Sequence, residues 1–269
     1  MSEEQIVHAT PAPRTRESLA NDLRQLGVMV GMTIIVHSSM SSLGWVSGGP
    51  VAMVQALMDV VTEAGTIVMP TQTGEYSDPA QWENPPVPQA WWQIIRETMP
   101  AFDPQITPAT FMGRTVEVFR TWPGALRSNH PIVSFAAWGR HAQYITAGHT
   151  LEYGLGEGSP LGRIYDLDGW VLLLGVGYDS NTSFHLAEYR APRAEQIVLG
   201  SPILEHGERV WKTYRDIKID SEIFPEIGAK FEQNSVVKVS RVGSAESKLF
   251  RQRAGVDFAM QWLTGRRVQ

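Results

Sequence analysis

The sequence predicts an α/β fold, with a mixed, largely parallel central sheet flanked by helices. A β-branched run at 33–37, a helical pattern at 51–63 and a second apolar run at 66–69 form a strand–helix–strand unit, whose strands pair in parallel. The most hydrophobic run, Trp170 to Val176, predicts a central strand. With 269 residues, 43% of them hydrophobic, the chain can form a substantial core, and we expect one domain spanning 1–269.

The first half of the chain contains clear start and stop signals. Apolar residues at helical spacing predict a helix over 15–26 that ends at Gly27. Pro50, after two glycines, predicts the start of the next helix, and Gly65 its end. From 70 to 109 the pattern is interrupted by eight prolines and three tryptophans, with one helical stretch at 91–98. We expect a long substrate flap at about 74–109.

The second half predicts further helices and strands and an added antiparallel hairpin. Thr110 is expected to cap a helix over 113–122, a strand is expected at 132–136, and Asn181 or Thr182 is expected to cap a helix through Tyr189. The runs 196–203 and 209–217 enclose a turn and predict the hairpin. Helices are predicted over 222–232 and 248–264, with a strand at 236–241 between them.

Composition excludes several classes of function. A net charge of −5 and a pI near 5.8 argue against a nucleic-acid partner, which requires clustered lysine and arginine. The absence of cysteine excludes thiolate zinc sites and thiol nucleophiles. No basic start precedes an apolar run in the first ten residues, and no apolar stretch is long enough to span a membrane. We therefore expect a cytoplasmic protein without a membrane partner; the sequence indicates no oligomeric state.

The segment from Val36 to Pro50 runs from a strand through a serine- and glycine-rich loop into a helix. A helix N-terminus presents unpaired N–H groups and partial positive charge, so this loop could bind a phosphate or pyrophosphate. An ordinary connector is the alternative. Neither the Walker lysine motif nor the dinucleotide-binding fingerprint is present, which disfavours nucleoside triphosphates and NAD.

His185 and Glu188 lie three residues apart on a predicted helix and therefore share a face. The carboxylate could accept a proton from one imidazole nitrogen and make the other a better base. An exposed ion pair is the alternative. Zinc is disfavoured, because there is no second histidine at the spacing of H-E-x-x-H and no cysteine, and we predict no metal.

Two further segments contain polar residues next to strands. Pro70-Thr-Gln-Thr73 follows a strand and could stabilise an oxyanion; on its own, this segment is more typical of a polar turn after a strand. Arg127-Ser-Asn-His-Pro-Ile-Val-Ser134 includes His130, which could be either a core histidine or a ligand contact.

Together these segments resemble the aminoglycoside 3-N-acetyltransferase family. The matching motifs are V-H-S-S-x-S-S-x-G-x-V-x-G-G at 36–49, M-P-T-Q-T at 69–73, R-S-N-H-P-x-x-S-F-A-A-x-G at 127–139, S-P-L at 159–161 and L-L-L-G-V-G-Y-D-S-N-T-S-x-H-x-x-E at 172–188. Their order and spacing extend the resemblance over about residues 15–265.

The resemblance implies direct transfer of an acetyl group from acetyl-coenzyme A to the 3-amino group of a 2-deoxystreptamine aminoglycoside. His185 would take the proton of the amine, Glu188 would orient His185, and Thr71 or Thr73 would stabilise the oxyanion. The cofactor would contact His37, Ser38, Ser39, Ser42, Leu43, Gly44, Val46, Gly48, Gly49, His130 and Ser134. A polycationic substrate would be bound by acidic residues: Asp179 beside the pair, then Glu75 and Asp78 in the flap. For each of the two flap acids, an ordinary solvated carboxylate is the alternative.

Three alternatives remain open at this point. The first is a member of the same family that acetylates a different amine. The second is a hydrolase with a serine of the 38–42 cluster as nucleophile, although the chain lacks the G-x-S-x-G elbow. The third is a coenzyme A-binding protein with little catalysis.

Overall fold

A computed structural model describes residues 2–268; Met1 and Gln269, the ends of the predicted domain, lie outside the described residues. The strands are β1 Thr33–Ser38, β2 Thr66–Pro70, β3 Leu126–Arg127, β4 Phe135–Gly139, β5 Trp170–Leu174, β6 Gln196–Glu205, β7 Glu208–Ile217, β8 Lys238–Val242 and β9 Ala245–Arg251. The α-helices are α1 Glu3–Ala9, α2 Arg16–Leu26, α3 Gly49–Val61, α4 Trp92–Thr98, α5 Arg114–Arg120, α6 Ala142–Thr146, α7 Pro160–Asp166, α8 Ser183–Arg190, α9 Phe224–Asn234 and α10 Gln252–Val268.

Seven strands form the central sheet, in the order β3-β4-β2-β1-β5-β9-β8. The mixed α/β class is therefore confirmed. Parallel pairing is limited to β1 with its two neighbours, β2 and β5. The outer pairs are antiparallel, so the sheet is less parallel than the strand–helix–strand pattern suggested.

The central strands are buried on both faces. Ile34 and Val36 of β1 pack in a core with α2, α3 and α5, whereas Ile35 packs in the opposite core with α8, α9 and α10. Successive side chains of a strand point to opposite faces, so two-sided burial requires a continuous apolar run. This explains why β1, β2 and β5 were recognisable from the sequence.

Two predicted elements differ from the structure, one in its bounds and one in its type. The strand expected at 132–136 is β4, at 135–139, because the backbone N–H groups of Ile132 and Val133 donate to His130 Nδ1, both at 3.1 Å, within a turn. Residues 248–251, expected to be helical, belong to β9, which pairs with β5. Their local pattern suits a helix, but the pairing partner lies about eighty residues earlier and overrides it.

The cap predicted at Thr110 is also wrong. Gly113 precedes α5 without a side-chain hydrogen bond, and the Thr110 hydroxyl donates to Glu75. The glycine cap at Gly27 is confirmed, because Gly27 has a left-handed conformation at φ 103°. Thr15, predicted as the first residue of this helix, is its N-cap, and Thr15 Oγ1 accepts from the backbone N–H of Ser18.

The antiparallel hairpin is confirmed, and β6 and β7 form a separate two-stranded sheet. The flap region packs against it: the backbone N–H of Phe102 donates to Pro202 O at 3.1 Å, and Arg209 Nε donates to Met99 O at 3.0 Å. The hairpin thus fixes the position of the flap above the sheet.

None of the helices in the described range, 2–268, is long and apolar enough to cross a membrane.

Candidate active site

A cleft of about 330 Å³ opens at the carboxyl ends of β1, β2 and β5. These strands run parallel, so their ends meet at one edge of the sheet, where ligands of open α/β sheets bind. The lining residues are Val36, His37, Ser38, Pro70, Gln72, Phe111, Met112, Val116, Val176, Asp179, Ser180, Thr182, His185 and Ser221.

The turn after β5 directs α8 into this cleft. Gly175 has φ +65°, and a Cβ there would lie 2.6 Å from Cβ of Ser42, so only glycine allows the serine–glycine loop to approach. A short 3₁₀ turn, Tyr178–Ser180, separates Gly175 from α8. This close approach brings the loop after β1 and the start of α8 to the same cleft.

His185 and Glu188 form a buried pair on α8. His185 Nδ1 lies 2.5 Å from Glu188 Oε2, and Glu188 Oε1 accepts the backbone N–H of Asp220 at 2.8 Å. Glu188 is 1% exposed, which rules out the alternative of an exposed surface ion pair. A carboxylate accepts only, so Nδ1 carries the proton, and Nε2 is the ring nitrogen that remains for chemistry.

His185 itself is 8% exposed and lines the cleft. The ring of Phe224 packs beside it, with the ring centroids 4.8 Å apart. Within the described part of the chain, no serine or threonine hydroxyl hydrogen-bonds to His185, as a serine-nucleophile hydrolase would require. The geometry therefore favours an imidazole that acts on a substrate proton.

A second imidazole, that of His37, lies in the same cleft at the end of β1. It is 8% exposed, and its Nε2 atom is buried without a hydrogen-bond partner among the described residues. Burial lowers the pKa of His37 to about 3, with a smaller contribution from the nearby charge of His185. His37 is therefore neutral near neutral pH.

The predicted cofactor loop divides between the cleft and an adjacent groove. Ser38 lines the cleft, whereas Ser42 Oγ donates to Ser39 Oγ at 2.9 Å and Leu43 is buried in the core. The groove, about 250 Å³, is lined in part by Gly44, Val46 and Gly49 together with the exposed Arg114. Gly48, left-handed at φ 81°, precedes α3 without a side-chain cap and lines a neighbouring hollow with Gly49.

Thr71 and Thr73 do not present their hydroxyls to the cleft. Both side chains are fully buried; Thr71 Oγ1 lies 2.9 Å from Ser134 Oγ, and the Thr73 hydroxyl donates to Pro131 O. Alternation along the extended chain instead brings Pro70 and Gln72 to the cleft. The expectation that one of these hydroxyls stabilises an oxyanion is therefore not supported by the geometry.

His130 and Ser134 are also buried away from the cleft. His130 Nδ1 accepts two backbone N–H groups, so its Nε2–H donates to Leu151 O, at 3.2 Å. Burial lowers its pKa, aided by the adjacent His149, whose ring centroid lies 4.8 Å away. Of the two interpretations left open, the core histidine fits the burial of His130, and neither His130 nor Ser134, both expected to contact the cofactor, lines the cleft.

Arg127, which we did not single out from its motif, joins the end of β2 to the flap. Its Nε donates to Thr71 Oγ1 at 3.0 Å and to Ser134 Oγ at 3.0 Å, and its terminal nitrogens donate to the carbonyls of Thr71, at 2.8 Å, and of Thr107. Burial lowers its pKa to about 10, so it stays charged. The sequence signal was a lone arginine before a buried strand, which does not identify its partners.

Of the three predicted substrate-binding acids, only Asp179 lines the cleft. Asp78 is paired with Arg96, whose Nε lies 3.1 Å from Oδ2, and Glu75 accepts from the Thr110 hydroxyl. Phe111, not anticipated, is 96% exposed at the cleft with an unfavourable φ of 59°. No lysine or arginine is among the cleft-lining residues of the described chain.

The cleft differs from a larger groove on the same molecule. That groove, about 1010 Å³ between the hairpin and residues 150–158, is not lined by His185 or His37. Among residues 2–268, no group of three or more His, Asp or Glu side chains is placed to hold a metal ion.

A carboxylate-supported imidazole in a cleft at the carboxyl ends of parallel strands is an arrangement typical of enzyme active sites. The chain belongs to the aminoglycoside 3-N-acetyltransferase family, whose model matches residues 35–264, and the family predicted from the motifs is thereby confirmed. This family consists of acyltransferases.

Two relatives are similar to this chain over nearly their whole length. The SPbeta prophage-derived aminoglycoside N(3')-acetyltransferase-like protein YokD of Bacillus subtilis is 54% identical over 258 residues, 96% of this chain and 95% of that protein. Its crystal structure aligns with a TM-score of 0.98, at 52% identity and 99% coverage of both chains. Aminoglycoside N(3)-acetyltransferase VII of Streptomyces paromomycinus is 37% identical and covers 98% of this chain and 96% of its own.

Two similar solved structures contain ligands. AAC-IIIb, in a binary complex with CoASH, has a TM-score of 0.85 at 32% identity, covering 95% of this chain and 98% of its own. AAC-VIa bound to sisomicin has a TM-score of 0.86 at 30% identity, with 95% and 99% coverage.

Proposed function

We propose that this protein transfers the acetyl group of acetyl-coenzyme A to an amine by direct attack, with His185 as general base and Glu188 as the residue that orients it. The observation that carries this proposal is the buried 2.5 Å contact between the two side chains in the cleft. The complex of AAC-IIIb with CoASH supports coenzyme A as the co-substrate.

An amine needs such a base because it is protonated near neutral pH and cannot attack a thioester until it loses a proton. In the proposed step His185 Nε2 accepts one proton from the ammonium group, and the neutral amine nitrogen then forms a bond to the carbonyl carbon. The carbon–sulfur bond breaks, and the proton that the new amide nitrogen must lose passes to the departing thiolate. The carboxylate of Glu188 stabilises the imidazolium until it releases its proton to solvent.

We propose that the groove beside the serine–glycine loop holds the pantetheine and phosphates of coenzyme A. The N-terminus of α3 and the exposed Arg114 both lie on this groove and offer the partial positive charge of the helix and a cation to phosphate. Ser38, where the loop reaches the cleft, would contact the thioester end.

We propose a 2-deoxystreptamine aminoglycoside, acetylated at its 3-amino group, as the substrate. Asp179 gives the cleft a carboxylate, and the absence of lysine and arginine from its described lining suits a polycation. The exposed ring of Phe111 offers an apolar face, on which a sugar ring or an ammonium group can pack. The sisomicin complex of AAC-VIa supports this substrate class.

The test measures thiol release from acetyl-coenzyme A with a panel of gentamicin- and kanamycin-type aminoglycosides and simple diamines. We expect turnover with the aminoglycosides and a loss of about 10²- to 10⁴-fold for H185A, with coenzyme A affinity unchanged by calorimetry. H206A, at the exposed hairpin turn, is the matched control and should behave like the wild type.

Each component of the proposal has its own contrary outcome. Turnover with diamines but not with aminoglycosides would contradict the proposed substrate and leave the proposed reaction intact. Binding of coenzyme A, but no thiol release from acetyl-coenzyme A with any amine, would contradict the proposed reaction. Full activity of H185A would show that His185 is not the base.

A further inference from the structure

The cleft contains two imidazoles, and only one of them has a partner. His185 is held by Glu188 at 2.5 Å, whereas His37 has no carboxylate partner and its buried Nε2 atom has no hydrogen bond among the described residues. A buried polar group without a partner is costly, so a substrate atom that supplies the missing partner in the cleft would be favoured.

The two rings differ in how well their surroundings stabilise a protonated imidazole. A carboxylate stabilises the imidazolium of His185, whereas burial and the nearby charge of His185 oppose protonation of His37. When the amine gives up its proton, that proton goes to His185. His37 thus keeps a neutral ring, with one N–H donor, throughout the reaction.

The backbone of β1 holds His37 rigidly. β1 lies between β2 and β5 in the middle of the sheet, and His37 is directly opposite Leu173 of β5. A donor that is already desolvated and fixed needs no reorganisation when charge develops on the substrate, which is the condition for effective oxyanion stabilisation.

The buried threonines do not fill this role, because the hydroxyls of Thr71 and Thr73 hydrogen-bond within the core. We propose that His37 is a further catalytic residue, whose neutral ring donates a hydrogen bond to the thioester oxygen as the amine attacks. This inference rests on the proposed acetyl transfer. As the carbon–nitrogen bond forms, the carbonyl π electrons move onto oxygen and the N–H of His37 stabilises that charge, which returns to the carbonyl when the carbon–sulfur bond breaks.

A matched pair of variants separates the effect of losing the hydrogen-bond donor from the effect of changing the shape of the side chain. Methionine and glutamine are similar in length and volume, but only glutamine carries an N–H donor. We expect H37M to lower kcat by about 10²- to 10³-fold, the effect of removing one oxyanion donor, with the KM for acetyl-coenzyme A nearly unchanged. H37Q should recover at least about tenfold of that loss. Thermal melting of both variants checks that they fold equally.

A second nucleophile distinguishes the proposed role of His37 from that of His185. Methoxyamine is unprotonated at neutral pH and needs no general base, so H185A should lose little activity with it, whereas H37M should lose as much as with the aminoglycoside. Equal losses in H37M and H37Q, or a change in KM alone, would overturn the role of His37 and leave the acetyl transfer intact. A wild-type protein without turnover on any amine would overturn the proposed function and, with it, this role.

Discussion

Replacing Glu188 with glutamine puts an NH₂ group in place of one carboxylate oxygen. The site, however, requires two hydrogen-bond acceptors. The carboxylate accepts from His185 Nδ1 at 2.5 Å and from the backbone N–H of Asp220 at 2.8 Å. Glutamine has one acceptor and one donor, so it cannot satisfy both contacts. If its NH₂ group faces His185, the imidazole must carry its proton on Nε2 and is no longer a base toward the cleft.

The size of the effect follows from the lost contact. A hydrogen bond to a charged group contributes about 1.5–3 kcal/mol, and each 1.36 kcal/mol corresponds to about tenfold in rate, so E188Q should lower kcat by about 10- to 100-fold. This is less than expected for H185A, because the imidazole remains and is still a base toward the cleft whenever the glutamine oxygen faces Nδ1. Glu188 is 1% exposed, so water cannot replace the lost partner.

The assay is thiol release at saturating acetyl-coenzyme A, with E157Q as the matched control. Glu157 pairs with Arg190, which lies on the same helix as Glu188, at 2.6 Å. The side chain of Glu157 is 66% exposed, so E157Q should keep kcat within roughly twofold of the wild type. Wild-type activity in E188Q, or equal losses in both variants, would refute the reasoning.

Three further predictions concern the contacts of Arg127, the stability of the fold at acid pH and the carboxylate of Asp179 in the cleft. R127M should lower the free energy of unfolding in urea by about 1–3 kcal/mol, because the carbonyl of Thr107 loses the donor that Arg127 supplies and that of Thr71 keeps only the Ser134 hydroxyl; no measurable loss would contradict this. Burial lowers the pKa of His149 from 6.5 to about 4, so between these values the unfolded chain binds the proton and the folded chain does not. The free energy of unfolding should therefore fall as the pH is lowered through this window, by up to about 1.4 kcal/mol per pH unit for this group, and the slope should be smaller in H149Q. D179N should raise the KM for a cationic amine by roughly two- to fivefold at low salt and less at high salt; a salt-independent change would argue against a charge contact.

The elements that the sequence predicted well carry their signals locally. α2 begins at the capping residue Thr15 and ends at Gly27, and β1 and β5 are continuous apolar runs. The elements predicted less well depend on distant partners. Residues 248–251 are strand because β5 lies beside them, and the turn before β4 forms because His130 accepts its backbone N–H groups.

The site shows the same division. The spacing of His185 and Glu188 on a helix indicated their pairing, and the motifs placed His37, Ser38 and Asp179 near a cofactor or substrate. The exposure of each side chain was not visible in the motifs: Thr71 and His130 belong to them but face the core. A motif records residues that the fold needs together with residues that the chemistry needs, so it does not separate the two.

The sequence by itself determined the family, the main helices and strands, and the one pair of side chains that a single helix brings together, because all of these depend on spacing along the chain. Only the tertiary structure decided which polar groups reach the cleft and which satisfy one another inside the protein. That choice depends on side-chain direction and on contacts between segments as far apart as Ser42 and Gly175, which local propensity does not encode.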